Sequence, residues 1–260
     1  MMQTAQDYCR EGRQQPLTPE GNEKAKECYE KAIKENDKYL PAYAEYSYVH
    51  LRDCQNRWTP DREASLDEAE RLADIAVALG NDVTSGWHND FRGRWYRAMV
   101  YWNRGDFTTS FQEFAAARAL ITDPKRIDTD TADLDADMAE AYIYYGDPKQ
   151  ALALIDGAAA RHPAPPYWHG WNRARAYYMA KRYDDALATI RGMSSPPNDV
   201  RLIEAASEAQ LKHLDDARRI MGEFSKIEPG WTLQKSGEYR YGDNAARDHW
   251  LDGLSKAGLK

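Results

Sequence analysis

Residues 139–163 read AEAYIYYGDPKQALALIDGAAARHP, and their small residues follow a plan. Ala139, Ala151 and Ala158 fall at steps of twelve and seven, with Tyr142, Ile155, Gly146 and Pro163 between and after them. Apolar residues recur at helical spacing on either side of the Gly-Asp-Pro break, which reads as helix, tight turn, helix. Two antiparallel helices joined this closely can approach only where their side chains are small, so alanine belongs at the crossing.

The same offsets recover Ala98, Tyr101, Gly105, Ser110, Phe114 and Ala117 upstream. Downstream they recover Ala174, Tyr177, Ala186 and Ile190, then Ala205, Ala217, Met221 and Pro229, with Lys212 where the turn glycine stood. Near the start, Ala25, Tyr29 and Ala32 fit a second helix. Tyr43, Tyr46 and Ser47 pair with Ala69, Ala73 and Ala76 across an insertion, RDCQNRWTPDR, at residues 52–62. No window alternates β-branched and polar residues in the manner of a strand. The sequence therefore predicts an all-α chain of six helix pairs.

This frame resembles the tetratricopeptide (TPR) repeat, a helix pair with a period of about 34 residues. The resemblance implies an all-α fold, a right-handed α-solenoid forming one domain over residues 1–260. Its repeats fall at about 4–37, 40–81, 84–122, 130–163, 166–196 and 198–229, with a capping helix at 244–257. A solenoid needs such a cap because its last repeat would otherwise expose a stacking face. The closing segment, EPGWTLQKSGEYRYGDNAARDHWLDGLSKAGLK, is also similar to the end of TPR blocks found C-terminal to bacterial class III adenylate or guanylate cyclase domains and to some winged-helix regulators.

Composition narrows the function. A net charge of −7 opposes general binding to phosphate backbones. No apolar run approaches the length of a membrane span, and the start, MMQTAQDYCREGR, lacks the apolar core of a signal peptide, so a cytoplasmic protein is expected. Cys9, Cys28 and Cys54 form no CxxC pair and read as buried thiols. GxxxxGK[ST], GxGxxG, HExxH and GxSxG are all missing. Asp133, Asp135 and Asp137 mimic the opening of a calcium loop, but Met138 and Tyr144 stand where glycine and glutamate are needed, so the run reads as a solvated helix start. No catalytic residue, metal or cofactor is predicted.

The TPR resemblance implies that the first helix of each pair lines a concave groove, which gives each ring a place. Tyr48 and Arg52 would come from the second pair, Trp95, Met99, Trp102 and Asn103 from the third, Glu140 and Tyr144 from the fourth. Trp168, Trp171, Arg175 and Tyr178 would come from the fifth and Gln210 from the sixth, with Arg92 nearby. Tryptophan, tyrosine and arginine dominate binding hot spots because they bury much area at small entropic cost. The expected function is a non-enzymatic scaffold or regulatory module in bacterial signalling, gripping a protein or peptide segment. The alternatives are a small-molecule-sensing TPR module, or the regulatory part of a larger cyclase or transcription regulator.

Overall fold

The computed structural model describes residues 3–162 and 164–260, and its regular structure there is entirely helical. Pro163, the residue that closes the opening motif, lies outside the described residues. The chain divides into two compact units, Met1–Asp123 and Pro124–Lys260.

The first unit holds α1 (Ala5–Arg13), α2 (Pro19–Glu35), α3 (Leu40–Asn56), α4 (Arg62–Asn81), α5 (Arg92–Arg104) and α6 (Phe107–Leu120). Consecutive helices pair as α1/α2, α3/α4 and α5/α6, and α3 also packs beside α1 and α5. The second unit holds α7 (Ile127–Tyr145), α8 (Pro148–Arg161), α9 (Tyr167–Met179), α10 (Tyr183–Arg191), α11 (Val200–Gln210), α12 (Leu214–Ile227), α13 (Leu233–Gly237) and α14 (Asn244–Lys256). There the pairs are α7/α8, α9/α10 and α11/α12, with α9 packed between α7 and α11.

Side chains set the helix limits. Thr4 and Asp7 form a reciprocal capping box on α1, and Thr18 caps α2 just before Pro19. Asp61, Asp106 and Asp147 each accept a backbone N–H at the start of the second helix of a pair. The first helices α5, α7, α9 and α11 run into a left-handed residue: Gly105 at φ 89° and Gly146 at φ 101°, then Lys181 at φ 59° and Lys212 at φ 67°. Two turns thus use glycine and two tolerate lysine in the same conformation.

The alanine frame is the packing frame. Ala98, Ala117, Ala139, Ala151, Ala158, Ala174, Ala186, Ala205 and Ala217 have no exposed surface, and neither have Ala25, Ala32, Ala69, Ala73 and Ala76. With side chains this small at the crossings, one helix can donate to the backbone of the next. Ser47 Oγ donates to Ala69 O at 2.7 Å, Ser110 Oγ to Ala98 O at 2.8 Å and Asn172 Nδ2 to Ala136 O at 2.8 Å.

The insertion at residues 52–62 becomes helix as well as turn. Helix α3 continues to Asn56, Arg57 turns left-handed at φ 56°, and Trp58 N–H closes on Asp53 O at 3.0 Å before α4 begins. The acidic run 123–137 differs from its sequence reading. Asp128 and Asp130 do fall in the first turn of α7, but Asp135 is buried and paired with Arg161, and Asp133 binds His169 at 2.8 Å. Those two carboxylates link helices instead of being solvated.

The last helix also departs from the simple picture of a cap. Helix α14 packs along α11 and reaches α9 and α7, so it lies on the first-helix face of its unit. The chain then returns past it, and Leu233 N–H donates to Lys260 O at 2.7 Å.

Candidate functional site

The first-helix face of the second unit is occupied by the chain's own residues 239–256. Tyr144 of α7 meets Tyr239 and Tyr241 with ring centroids 5.5 and 5.2 Å apart, and Gly242 N–H donates to Tyr144 O at 3.0 Å. Gly242 has to be small, because a Cβ there would lie 2.8 Å from the Tyr145 ring and 2.9 Å from its carbonyl. One helical turn of α14 later, the contacts pass to α9 and α11.

Arg175 of α9 is the centre of this contact. Its guanidinium carbon sits 3.3 Å from the Trp250 ring centroid, and its Nη2 donates to Tyr241 Oη at 3.0 Å. Tyr178 stacks on His249 at 4.8 Å, meets Trp250 edge-on at 5.3 Å, and donates from its hydroxyl to His249 O at 2.9 Å. A Cβ on Gly253 would collide with that hydroxyl and come within 3.1 Å of Ala206. Gln210 Nε2 donates to Asp252 Oδ2 at 3.0 Å, and Lys256 Nζ reaches the same oxygen at 2.5 Å.

The electrostatics of this face are unusual. Arg175 is 3% exposed, its Nε has no hydrogen-bond partner, and among the described residues no carboxylate forms an ion pair with it. Glu140 is the acid nearest in influence. Burial pushes its carboxyl up to about 7, against the pull of Arg175 and with the push of Asp199. Burial also raises the Tyr241 phenol and lowers His249, so both are neutral at neutral pH. The guanidinium is therefore held by a phenol and an indole, a cation–π contact in place of an ion pair.

The first unit carries an aromatic ladder on the same kind of face. Tyr48 of α3 stacks on Tyr96 of α5 at 5.1 Å and 13°, Trp95 follows Tyr96 at 6.1 Å, and Phe91 stacks on Trp95 at 5.9 Å. Arg52 covers Tyr48 at 5.4 Å. Arg92 is engaged locally: it pairs with Asp90 and lies 5.8 Å from the Trp87 ring.

These positions correct the open groove expected from the sequence. Tyr144, Arg175 and Tyr178 are buried, because residues 239–256 cover them. Met99, Trp102 and Asn103 are buried too, and Asn103 Nδ2 donates to Met99 O at 2.9 Å along its own helix. Tyr48, Arg52, Arg92, Trp95, Glu140, Trp168, Trp171 and Gln210 are half-buried. Trp168 packs against His169 at 4.2 Å, and Trp171 lies against the core of its unit. Tyr96, Tyr241 and Trp250 join these contacts without having been expected from the sequence. Their signal was local: Tyr96 follows Trp95, and Trp250 shares an amphipathic helix with Gly253, which is small where the helix approaches α9.

Residues 136–199 match the tetratricopeptide repeat family model. A thermophilic TPR protein of Thermus thermophilus, known from its crystal structure, is similar at 15% identity over 97% of this chain and all of that one, with a TM-score of 0.40. Comparison with curated proteins finds no match. Among the described residues no helix is long and apolar enough to cross a membrane, and no three potential ligands are grouped to hold a metal.

Proposed function

We propose that this chain is a non-enzymatic interaction module that holds segments of other polypeptides against the first helices of its pairs. Repeats of the kind matched by residues 136–199 generally mediate protein–protein interaction. One observation carries the reading for this chain. The α7, α9 and α11 face already grips a polypeptide segment through Tyr144, Arg175, Tyr178 and Gln210.

Its mode is the one a partner would use. An extended stretch donates a main-chain hydrogen bond, and a helix then lays one tryptophan into the face. The ladder Tyr48, Tyr96, Trp95 with Arg52 offers a second surface of the same chemistry in the first unit. The likeness of the closing segment to TPR blocks of bacterial signalling proteins supports a regulatory setting.

Photo-crosslinking tests the reading. A photoreactive residue is placed at position 52 or 95 of the full chain, and at the exposed position 149 of α8 as the control. The reading predicts discrete adducts with another protein from positions 52 and 95 that position 149 does not give. Identical patterns from all three would overturn it.

A further inference from the structure

We propose that residues 239–256 are an internal ligand, displaced when a partner segment offers a carboxylate to Arg175 and an aromatic ring to the place of Trp250. The proposal rests on the segment-binding reading above and names the chemistry of the partner for the second unit.

Three observations carry it. First, the segment is bound as a ligand is bound. Its outer side chains, Asn244, Ala245, Asp248, Asp252, Ser255 and Lys256, face solvent, whereas Trp250 and Leu254 are buried. It is anchored by Trp250 and Leu254, with Ala246 and Leu251 packed partly buried beside them and a few polar contacts at the rim, and two glycines, Gly242 and Gly253, let it approach.

Second, the face is incompletely satisfied by its own tail. A guanidinium taken out of water normally has a carboxylate, since the lost hydration is recovered only by a charged partner. Arg175 has a neutral phenol at 3.0 Å and a ring instead, and its Nε is unpartnered. Glu140 does not fill the role, because burial holds it partly protonated at neutral pH. A carboxylate in the place of the Tyr241 hydroxyl would pair with Arg175 directly and form a charge-assisted bond that the tail lacks.

Third, the register is defined. Tyr241 and Trp250 are nine residues apart, and Asp243 caps the helix between them. The partner is thus an acidic group in extended chain, followed by an amphipathic helix that begins within a few residues and carries an aromatic anchor in its second turn.

Two labelled synthetic peptides test this by fluorescence anisotropy on the full chain. One is residues 236–260, and the other is the same peptide with 4-carboxyphenylalanine in place of Tyr241. Trp250→Ala, which loosens the resident segment, is expected to bind the first peptide at least tenfold more tightly than wild type does. The carboxylated peptide is expected to bind tenfold more tightly again, with that gain lost in the double variant Trp250→Ala, Arg175→Gln. A helical Trp250→Ala protein that binds neither peptide would overturn the proposal, and so would equal affinity for wild type and variant.

Should that variant fail to fold, hydrogen exchange of the wild-type chain decides. Amides of α14 exchanging well ahead of those in α11 support the internal ligand, and exchange at one common rate overturns it. Crosslinking at positions 52 and 95 reports on the first unit, so loss of the internal-ligand proposal and loss of the interaction reading give different results.

Discussion

The guanidinium carbon of Arg175 lies over the Trp250 ring, 3.3 Å from its centroid, and both side chains are almost wholly buried. A cation on the first helix of one repeat is therefore desolvated by a ring that the chain supplies 75 positions later. Removing that ring takes away both the apolar burial and the cation–π partner. Trp250→Ala is expected to weaken closure of α14 by about 3 kcal/mol, or about a hundredfold faster exchange at the Leu251 and Leu254 amides. Hydrogen exchange monitored by NMR measures it, and α3 and α4 serve as internal references that should not change.

Glu140 makes stability depend on pH in a defined direction. Its carboxyl titrates near 7 in the folded chain and near the ordinary 4.5 when unfolded, with Arg175 and Asp199 as the charged groups influencing it. Between those values the folded chain holds the proton more tightly, so this group's contribution to stability falls as pH rises from 4.5 through 7 and is flat above. Glu140→Gln should be more stable than wild type at pH 8 and should lose part of the slope below pH 7. Urea denaturation at pH 5.5, 6.5 and 8 measures both effects.

Turn chemistry gives a third prediction. Lys181 and Lys212 hold the left-handed conformation that glycine holds at Gly105 and Gly146. A side chain there costs about 1 kcal/mol, so Lys181→Gly and Lys212→Gly should each stabilise the second unit by about 0.5–1 kcal/mol. The converse, Gly146→Ala, should destabilise, because its φ is 101° and the new Cβ would sit 3.0 Å from Asp243 Cβ. Thermal melts of the three variants check the signs.

In the first unit Asp53, 3% exposed, is held by Lys26 Nζ at 2.5 Å and Asn22 Nδ2 at 2.5 Å. Lys26→Met would leave a buried carboxylate without its cation and is expected to cost about 3 kcal/mol. The companion double variant Lys26→Met, Asp53→Leu should recover most of that loss in urea denaturation, since replacing both members removes the uncompensated charge.

The helix pairing was legible because it depends on local size. Ala98, Ala139, Ala174 and Ala205 must be small wherever two helices cross, and each is fully buried. Likewise Gly105 and Gly146 announced their turns by needing a positive φ. The state of the face was not legible. A tyrosine at position 178 has the same helical register whether it meets water or a histidine from a distant helix, and periodicity carries no information about which segment returns to cover it. The tail did carry complementary marks in Tyr241, Gly242, Trp250 and Gly253, but these acquire meaning only once α9 and α14 are side by side. The second pair's insertion was legible as extra length but not as structure, because extra residues can lengthen a helix, as they do in α3, as readily as they can extend a turn.

The most direct test of segment binding by the second unit is hydrogen exchange of the wild-type chain with and without the carboxylated 236–260 peptide in excess. The account predicts that the peptide accelerates exchange throughout Asn244–Lys256 of the chain while α9 and α11 stay protected, because the added segment takes the place of the resident one. Unchanged protection of α14 at a saturating peptide concentration, or simultaneous loss of protection in α9 and α11, would contradict it.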